Sequence, residues 1–251
     1  MTKQLLGKVA YYVNEASGSS SKLPVASPQN MARTRKVAGG NKQPAPGRKG
    51  TRRRSENGSE QVRQAELLKI AADLFAERGY VATTVRDIGD AAGILSGSLY
   101  HHFDSKESMI DEILSTFIGA TLASYEAVLG EGLSPKETFE RLVRTSLDSM
   151  VKDRSAILIY QNEARFLAEQ PRFAYLRDAH RKFERIWTGV LQQGIDAGEF
   201  RPTIDPKLVY RLVRDTVWTA PRWYRPGGSL KPERIMEQYL AVLVDGITLH
   251  K

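Results

Sequence analysis

The sequence predicts an all-α protein. Apolar residues from about Ser59 onward recur at the three-to-four-residue spacing of a helix face, and capping residues open one segment after another. No stretch alternates apolar and polar residues between turn residues, as a half-buried strand would. About nine helices are expected, with no internal repeat.

Composition bounds what those helices can do. The chain has 251 residues, 41% hydrophobic and 26% charged, enough apolar material for one large domain or two small ones. It holds no cysteine, which excludes disulfides, thiolate zinc sites and cysteine nucleophiles. The longest apolar runs, such as Ala156 to Tyr160, fall far short of the roughly 20 residues that span a membrane. The N-terminus carries Lys8 inside its apolar patch and no cleavage site, so no secretory signal is expected. A cytoplasmic protein without a membrane partner is the expectation.

Charge is unevenly divided. The net +8 separates into +11 over residues 1–55, with twelve Lys/Arg and one acid, and −3 over residues 56–251, with 25 Lys/Arg and 28 Asp/Glu. A basic tail is drawn to polyanions, or else is a solvated leader. Residues 1–58 also hold SGSSS, GG, PAPG and RRR, so this segment is expected to be a disordered basic tail. Met31, opening MARTRKVAGG, is a second candidate start.

The first helix is marked by Leu67, Ile70, Ala71, Leu74 and Phe75, and Gly79 ends it. Thr84 caps the second, with Asp87 three residues on to complete a capping box and Gly93 as its stop. Ser96 is expected to cap a very short third helix reaching Phe103. Ser105 caps a fourth, which carries Ile110, Ile113, Leu114, Phe117, Ile118 and Leu122. Ser134-Pro135-Lys136-Glu137 supplies an N-cap, a first-turn proline and a capping-box acid, while Pro171, Asp205-Pro206 and Pro232 mark later starts.

Two short helices joined at Gly93-Ile94-Leu95-Ser96 form a helix-turn-helix, whose second helix is small enough to enter a major groove. On that helix Leu99 and Phe103 share an inward face, leaving hydroxyls and imidazoles outward. His101 and His102, with only His180 and His250 elsewhere, do not suggest a metal set.

The segment AADLFAERGYVATTVRDIGDAAGILSGSLYHHFDSKESMIDEIL, residues 71–114, resembles the DNA-binding domain of TetR-family repressors. It carries the F-x-x-x-G-Y-x-x-T-T start, the A-G-x-x-x-G-x-L-Y-x-H-F recognition helix and the S-K-E opening of helix four. The resemblance implies a helix-turn-helix domain over 59–104 and a larger ligand-binding and dimerisation domain over 105–251. It implies that Thr84, Tyr100, His102 and Lys106 hold backbone phosphates, and that Ser96, Gly97, Ser98 and His101 face base edges. Arg86, exposed on the second helix, is expected to reach a phosphate or a guanine. For Thr84 and Ser96, capping is a second role compatible with the first.

The segments IYQNEARFLAEQPRFAYL, VLQQGIDAGEFRP, LVYRLVRDTVWTAPRWYRPGG and QYLAVLVDGIT resemble the actinobacterial TetR-type repressors of steroid-catabolism genes. That resemblance spans roughly residues 60–250. It implies a non-enzymatic homodimer that binds a palindromic operator and is released by a coenzyme A thioester of a bicyclic steroid-ring remnant. No cofactor is implied beyond that effector.

Beside it stands the residue reading. Tyr210, Arg214, Trp218 and Arg222 recur every four residues on one stripe, a clamp for a polyanion or a carbonyl-bearing ring. Core packing with arginines paired to Asp215 is the plainer reading of the same stripe, and the resemblance favours the clamp for Arg214 and Trp218. Pro221 should bend or end that helix. Tyr160 and Arg165, with Gln161, are a second candidate set, followed by the basic cluster Arg172, Arg177, Arg181, Lys182 and Arg185. The helices 206–224 and 232–249 are expected to form the dimer, with Ile235, Tyr239, Val242, Leu243 and Gly246 at the contact. An acyl-CoA-using enzyme is the remote rival, for no nucleophile elbow, phosphate loop or metal cluster is present. A TetR-type repressor for another hydrophobic inducer is the nearer one.

Overall fold

The computed structural model describes residues 49–225 and 227–249, with side chains from Glu60 onward. Most of the expected basic tail, including Met31, lies outside the described residues. The chain divides into two compact units at Arg63/Gln64. Of the first, the described part is helical. All contacts below belong to the second.

Helix α1 spans Lys49–Arg78 and so begins about ten residues before the expected boundary at Ser59. The run from Lys49 to Gln64 is rich in Arg, Glu and Gln, which tolerate a helix well but leave no apolar stripe to announce one. The apolar half is as expected: Leu67, Ala71, Leu74 and Phe75 are buried.

Helix α2, Val85–Ala92, is opened by the Thr84–Asp87 capping box and closed by Gly93 at φ 66°, a left-handed conformation that glycine adopts without cost. Helix α3 is a single turn, Ser96–Leu99, continued by turns to His102. Its N-cap position is Leu95, with no side-chain cap, and Ser96 is already the first helical residue. The expected serine cap is therefore displaced by one position.

Helix α4, Lys106–Leu129, is capped by Ser105 and runs from the helix-turn-helix into the larger domain. There it meets α5 (Pro135–Lys152), α6 (Arg154–Leu167), a 3-10 turn at Pro171–Phe173 and α7 (Tyr175–Asp196). The core is aromatic. Trp187 stands edge-on to Tyr125 (5.8 Å) and Phe139 (5.6 Å), and Phe139 to Phe200 (5.8 Å). The buried Tyr125 hydroxyl shares a 2.6 Å hydrogen bond with Ser146, and burial pushes its pKa up to about 12.

Helix α8 is Pro206–Val217, followed by the one-turn α9, Ala220–Trp223, and by α10, Pro232–Ile247. The expected single helix over 206–224 is thus broken at Trp218-Thr219. Pro221 has no N–H for the Val217 carbonyl, and its ring crowds that position. Among the described residues there is no sustained strand. One isolated antiparallel bridge, Phe200 to Thr248, pins the end of α10 to the α7–α8 loop.

Candidate DNA-binding surface and ligand cavity

The helix-turn-helix is built by close approach. A Cβ on Gly89 would stand 3.0 Å from the Ile94 carbonyl and 3.2 Å from the Ser96 backbone nitrogen, so only glycine lets α2 lie this near the start of α3. Ile88 and Leu99 fill the interior of the unit and are fully buried. Outward lie Gly97, Tyr100 and His101, with Ser96, Ser98 and His102 half-buried. Tyr100 is 56% exposed, free of the packing role that a buried phenol would have. Arg86 is exposed and only loosely paired with Asp90 at 3.8 Å.

Two of the candidate phosphate contacts are already engaged. The Thr84 hydroxyl donates to Asp87 Oδ2 at 2.5 Å and accepts from the Asp87 amide at 3.1 Å. Hydrogen bonds from the Thr84 hydroxyl and from its backbone N–H hold the Asp87 carboxyl below its ordinary pKa. Lys106 Nζ donates to the Tyr80 and Thr83 carbonyls at 2.9 and 2.8 Å and lies 4.4 Å from the centre of the Tyr80 ring. Thr83 in turn donates its hydroxyl to the Gly79 carbonyl at 2.8 Å. The α1–α2 turn is trussed to the start of α4.

The larger domain contains a narrow, partly open cleft lined by Tyr160, His180, Phe183, Trp187, Tyr210, Val213, Arg214 and Trp218. Four candidates, Tyr160, Tyr210, Arg214 and Trp218, come together there. Two do not. Arg222 turns away to donate to Gln161 Oε1 (3.1 Å) and Asn162 Oδ1 (2.8 Å), because α8 stops before it. Arg165 is exposed and does not line the cleft.

Sequence reasoning missed His180, Phe183, Trp187 and Val213. Phe183 and Trp187 sit in the apolar stripe of α7, where their spacing signals burial and nothing more. His180, three residues before Phe183, was the available signal.

Trp218 is the hub of the cleft. Its ring meets Phe117 of α4 at 5.9 Å, Tyr160 of α6 at 5.7 Å and Phe183 of α7 at 5.4 Å. Arg214 is half-buried and donates to Asp215 Oδ1 at 2.7 Å, so the pairing read from the sequence and the place in the cleft are both realised. That hydrogen bond raises its pKa further, and the guanidinium is permanently charged. Burial raises the Tyr160 phenol to about 12 and the Tyr210 phenol likewise upward, so both are neutral hydroxyls at physiological pH. An apolar box with one fixed cation and two phenols suits an apolar ring attached to an anionic or carbonyl-bearing arm.

On the expected dimer helices, Ile235 is 5% exposed and belongs to the core of its own protomer, which corrects its assignment to the contact. Val242 is 70% exposed, with Leu208 and Leu212 of α8 at 57% and 55%. The Tyr239 hydroxyl donates to the Thr216 carbonyl at 2.8 Å and ties α8 to α10.

A helix-turn-helix continued through α4 into an all-helical domain with its own cleft defines a DNA-binding transcription regulator. Residues 67–113 match the model of bacterial regulatory proteins of the tetR family, and residues 132–247 that of the tetracyclin repressor-like C-terminal domain. The HTH-type transcriptional repressor KstR2 of Rhodococcus jostii is 52% identical over 185 residues, covering 74% of this chain and 91% of the relative. Its Mycobacterium tuberculosis counterpart is 50% identical over 186 residues, covering 74% and 93%. The solved structure of the ketosteroid transcriptional regulator KstR2 of M. tuberculosis superposes with a TM-score of 0.73 at 49% identity, covering 75% of this chain and 96% of that one. The chain belongs to the TetR family and is a transcriptional repressor of the KstR2 type. No described helix is long and apolar enough to cross a membrane.

Proposed function

We propose that this repressor binds a palindromic operator as a homodimer and is released from it by a coenzyme A thioester of a bicyclic steroid-ring intermediate. The carrying observation is the cleft, in which Arg214 stands among Tyr160, Phe183, Trp187, Tyr210 and Trp218. The cleft is narrow between its aromatic walls, so a ring enters only by parting them. The ring enters and stacks on Trp218, Arg214 meets the thioester carbonyl or a ring carboxylate, and the phosphates stay at the mouth. The exposed Arg177 and Arg185 of α7 supply positive charge on that helix. A relative described as a ketosteroid regulator supports the steroid class.

On the DNA side, Gly97, Ser98 and His101 read base edges, and Thr84, Arg86, Tyr100 and His102 position the backbone. Thr84 can do so only by sharing the hydroxyl that now caps α2.

Fluorescence anisotropy on a labelled operator, titrated with the ring thioester, the free ring acid and free coenzyme A, tests the reading. Release by the thioester alone is expected, and operator DNA must weaken thioester binding by the same factor. Arg214→Met and Trp218→Leu are expected to lower thioester sensitivity at least about tenfold, the loss of one charge-assisted or stacking contact of about 1.4 kcal/mol or more, with operator affinity unchanged. Intact DNA binding with indifference to every thioester would sink the effector assignment.

A further inference from the structure

The cleft and the DNA-binding half meet along one helix other than α4, and they do so through adjacent residues. On α6, Tyr160 lines the cleft and packs on Trp218. Gln161, next in sequence, donates its amide to the Trp218 carbonyl and accepts from Arg222. Asn162 accepts from the same guanidinium at 2.8 Å. Glu163 then leaves the larger domain: its Oε1 accepts the backbone N–H of Tyr80 at 3.0 Å and lies 3.6 Å from where a Gly79 Cβ would stand. Eight residues earlier on α6, Ser155 donates to Asp73 of α1 at 2.6 Å, so α6 is fastened to α1 near its start and to the α1–α2 turn near its end.

What Glu163 holds is a rigid point. The Tyr80 carbonyl accepts from Lys106, Thr83 bonds back to Gly79, and Thr84 immediately after caps α2. Helix α2 in turn touches the start of α3 at Gly89. A displacement at Tyr80 therefore passes to the recognition turn with little slack, since packed units shift as bodies.

The cleft end is under a matching constraint. A bicyclic ring with its thioester arm overfills a box whose centre is Trp218, so Trp218 must yield. Its carbonyl is held by Gln161, so α6 is drawn along.

We propose that Glu163 is a positioning residue: bonded to the Tyr80 amide it holds the α1–α2 turn in the operator-binding pose, and movement of α6 on filling of the cleft releases it. This rests on the cleft being the effector site. It assigns the hinge of release to α6.

The test uses the full-length dimer and the variants Glu163→Ala and Glu163→Gln. Operator affinity is measured with and without the bicyclic-ring thioester, and thioester affinity without DNA is measured by calorimetry. The wild type is expected to lose about 5- to 150-fold in operator affinity on saturation, the usual range of such couplings. Glu163→Ala should bind operator, without ligand, about as weakly as the saturated wild type, and respond to ligand less than about threefold. Its thioester affinity should be no weaker than wild type, since the ligand no longer has that bond to break. Glu163→Gln, whose amide oxygen still accepts from Tyr80, should behave as wild type.

A wild-type coupling factor in Glu163→Ala overturns the proposal, and so does an equal defect in Glu163→Gln. A loss that tracks a lowered melting temperature and weakened thioester binding assigns Glu163 to folding and overturns it as well. Should the wild type bind no thioester at all, the effector reading fails on that result. Glu163 is then judged by spacing. The wild type should reject an operator with one base pair inserted between half-sites and Glu163→Ala should tolerate it, and equal rejection by both overturns the role.

Discussion

Lys106 marks what a residue's neighbours in sequence do not disclose. Its place in S-K-E implies a phosphate clamp, yet its ammonium is bound to two carbonyls of the α1–α2 turn and lies over the Tyr80 ring. Charge-assisted bonds of this kind contribute about 1.5–3 kcal/mol, so Lys106→Met should lower stability by about 2 kcal/mol, read in denaturant unfolding. The salt dependence of operator binding discriminates the two roles. A truss leaves its slope unchanged, whereas loss of a phosphate contact makes it shallower by about one ion. The cleft followed a different rule. Tyr210, Arg214 and Trp218 were legible because a four-residue period is a property of the helix itself, and Arg222 dropped out where Pro221 ended that helix. Gln161 and Asn162, which capture Arg222, are sixty residues away in sequence, and no local pattern links them to it.

At the scale of elements, the caps made the helix starts readable: Thr84, Ser105, Ser134 and Asp205 all accept backbone N–H bonds as their positions imply. Two boundaries escaped. The polar first half of α1 buries no stripe for a pattern to reveal, and α3 is too short for its cap to be told from its first residue. The packing of α2 on α3 was also hidden, although it hangs on a single hydrogen atom at Gly89. Gly89→Ala gains about 1 kcal/mol of helix propensity but forces backbone atoms 3.0–3.2 Å away to retreat. Overpacking of this kind costs about 1–3 kcal/mol, so the net effect is a loss of up to about 2 kcal/mol. Because the atoms displaced are those of Ile94 and Ser96, operator affinity should fall more steeply than melting temperature does. An alanine variant with lower stability but wild-type operator affinity would mean that α3 tolerates the shift and that base reading does not depend on this contact.

For the molecule as a whole, one short recognition turn offers too little surface for a specific operator, and in the proposed homodimer two copies related by a two-fold axis would read half-sites about 34–36 Å apart. An exposed apolar surface that such pairing would cover spans two helices joined by the Tyr239–Thr216 bond: Leu208 and Leu212 on α8, Val242 on α10. Large aliphatic side chains left more than half exposed on adjacent helices are costly unless covered. Burying one such side chain contributes about 1.5–3 kcal/mol, and an isologous contact counts it once in each protomer. Leu212→Glu therefore removes about 3–6 kcal/mol from the dimer, raising its dissociation constant by about 10² to 10⁴, measurable by sedimentation. The protomer should stay folded, since Leu212 lies outside its own core. Operator binding should then become steeply dependent on protein concentration, because each half-site must be filled by an independent event. A Leu212→Glu protein that remains dimeric would move the interface off α8 and α10. It would also separate the half-site geometry from the cleft, since α8 is the helix that brings Arg214 and Trp218 to it.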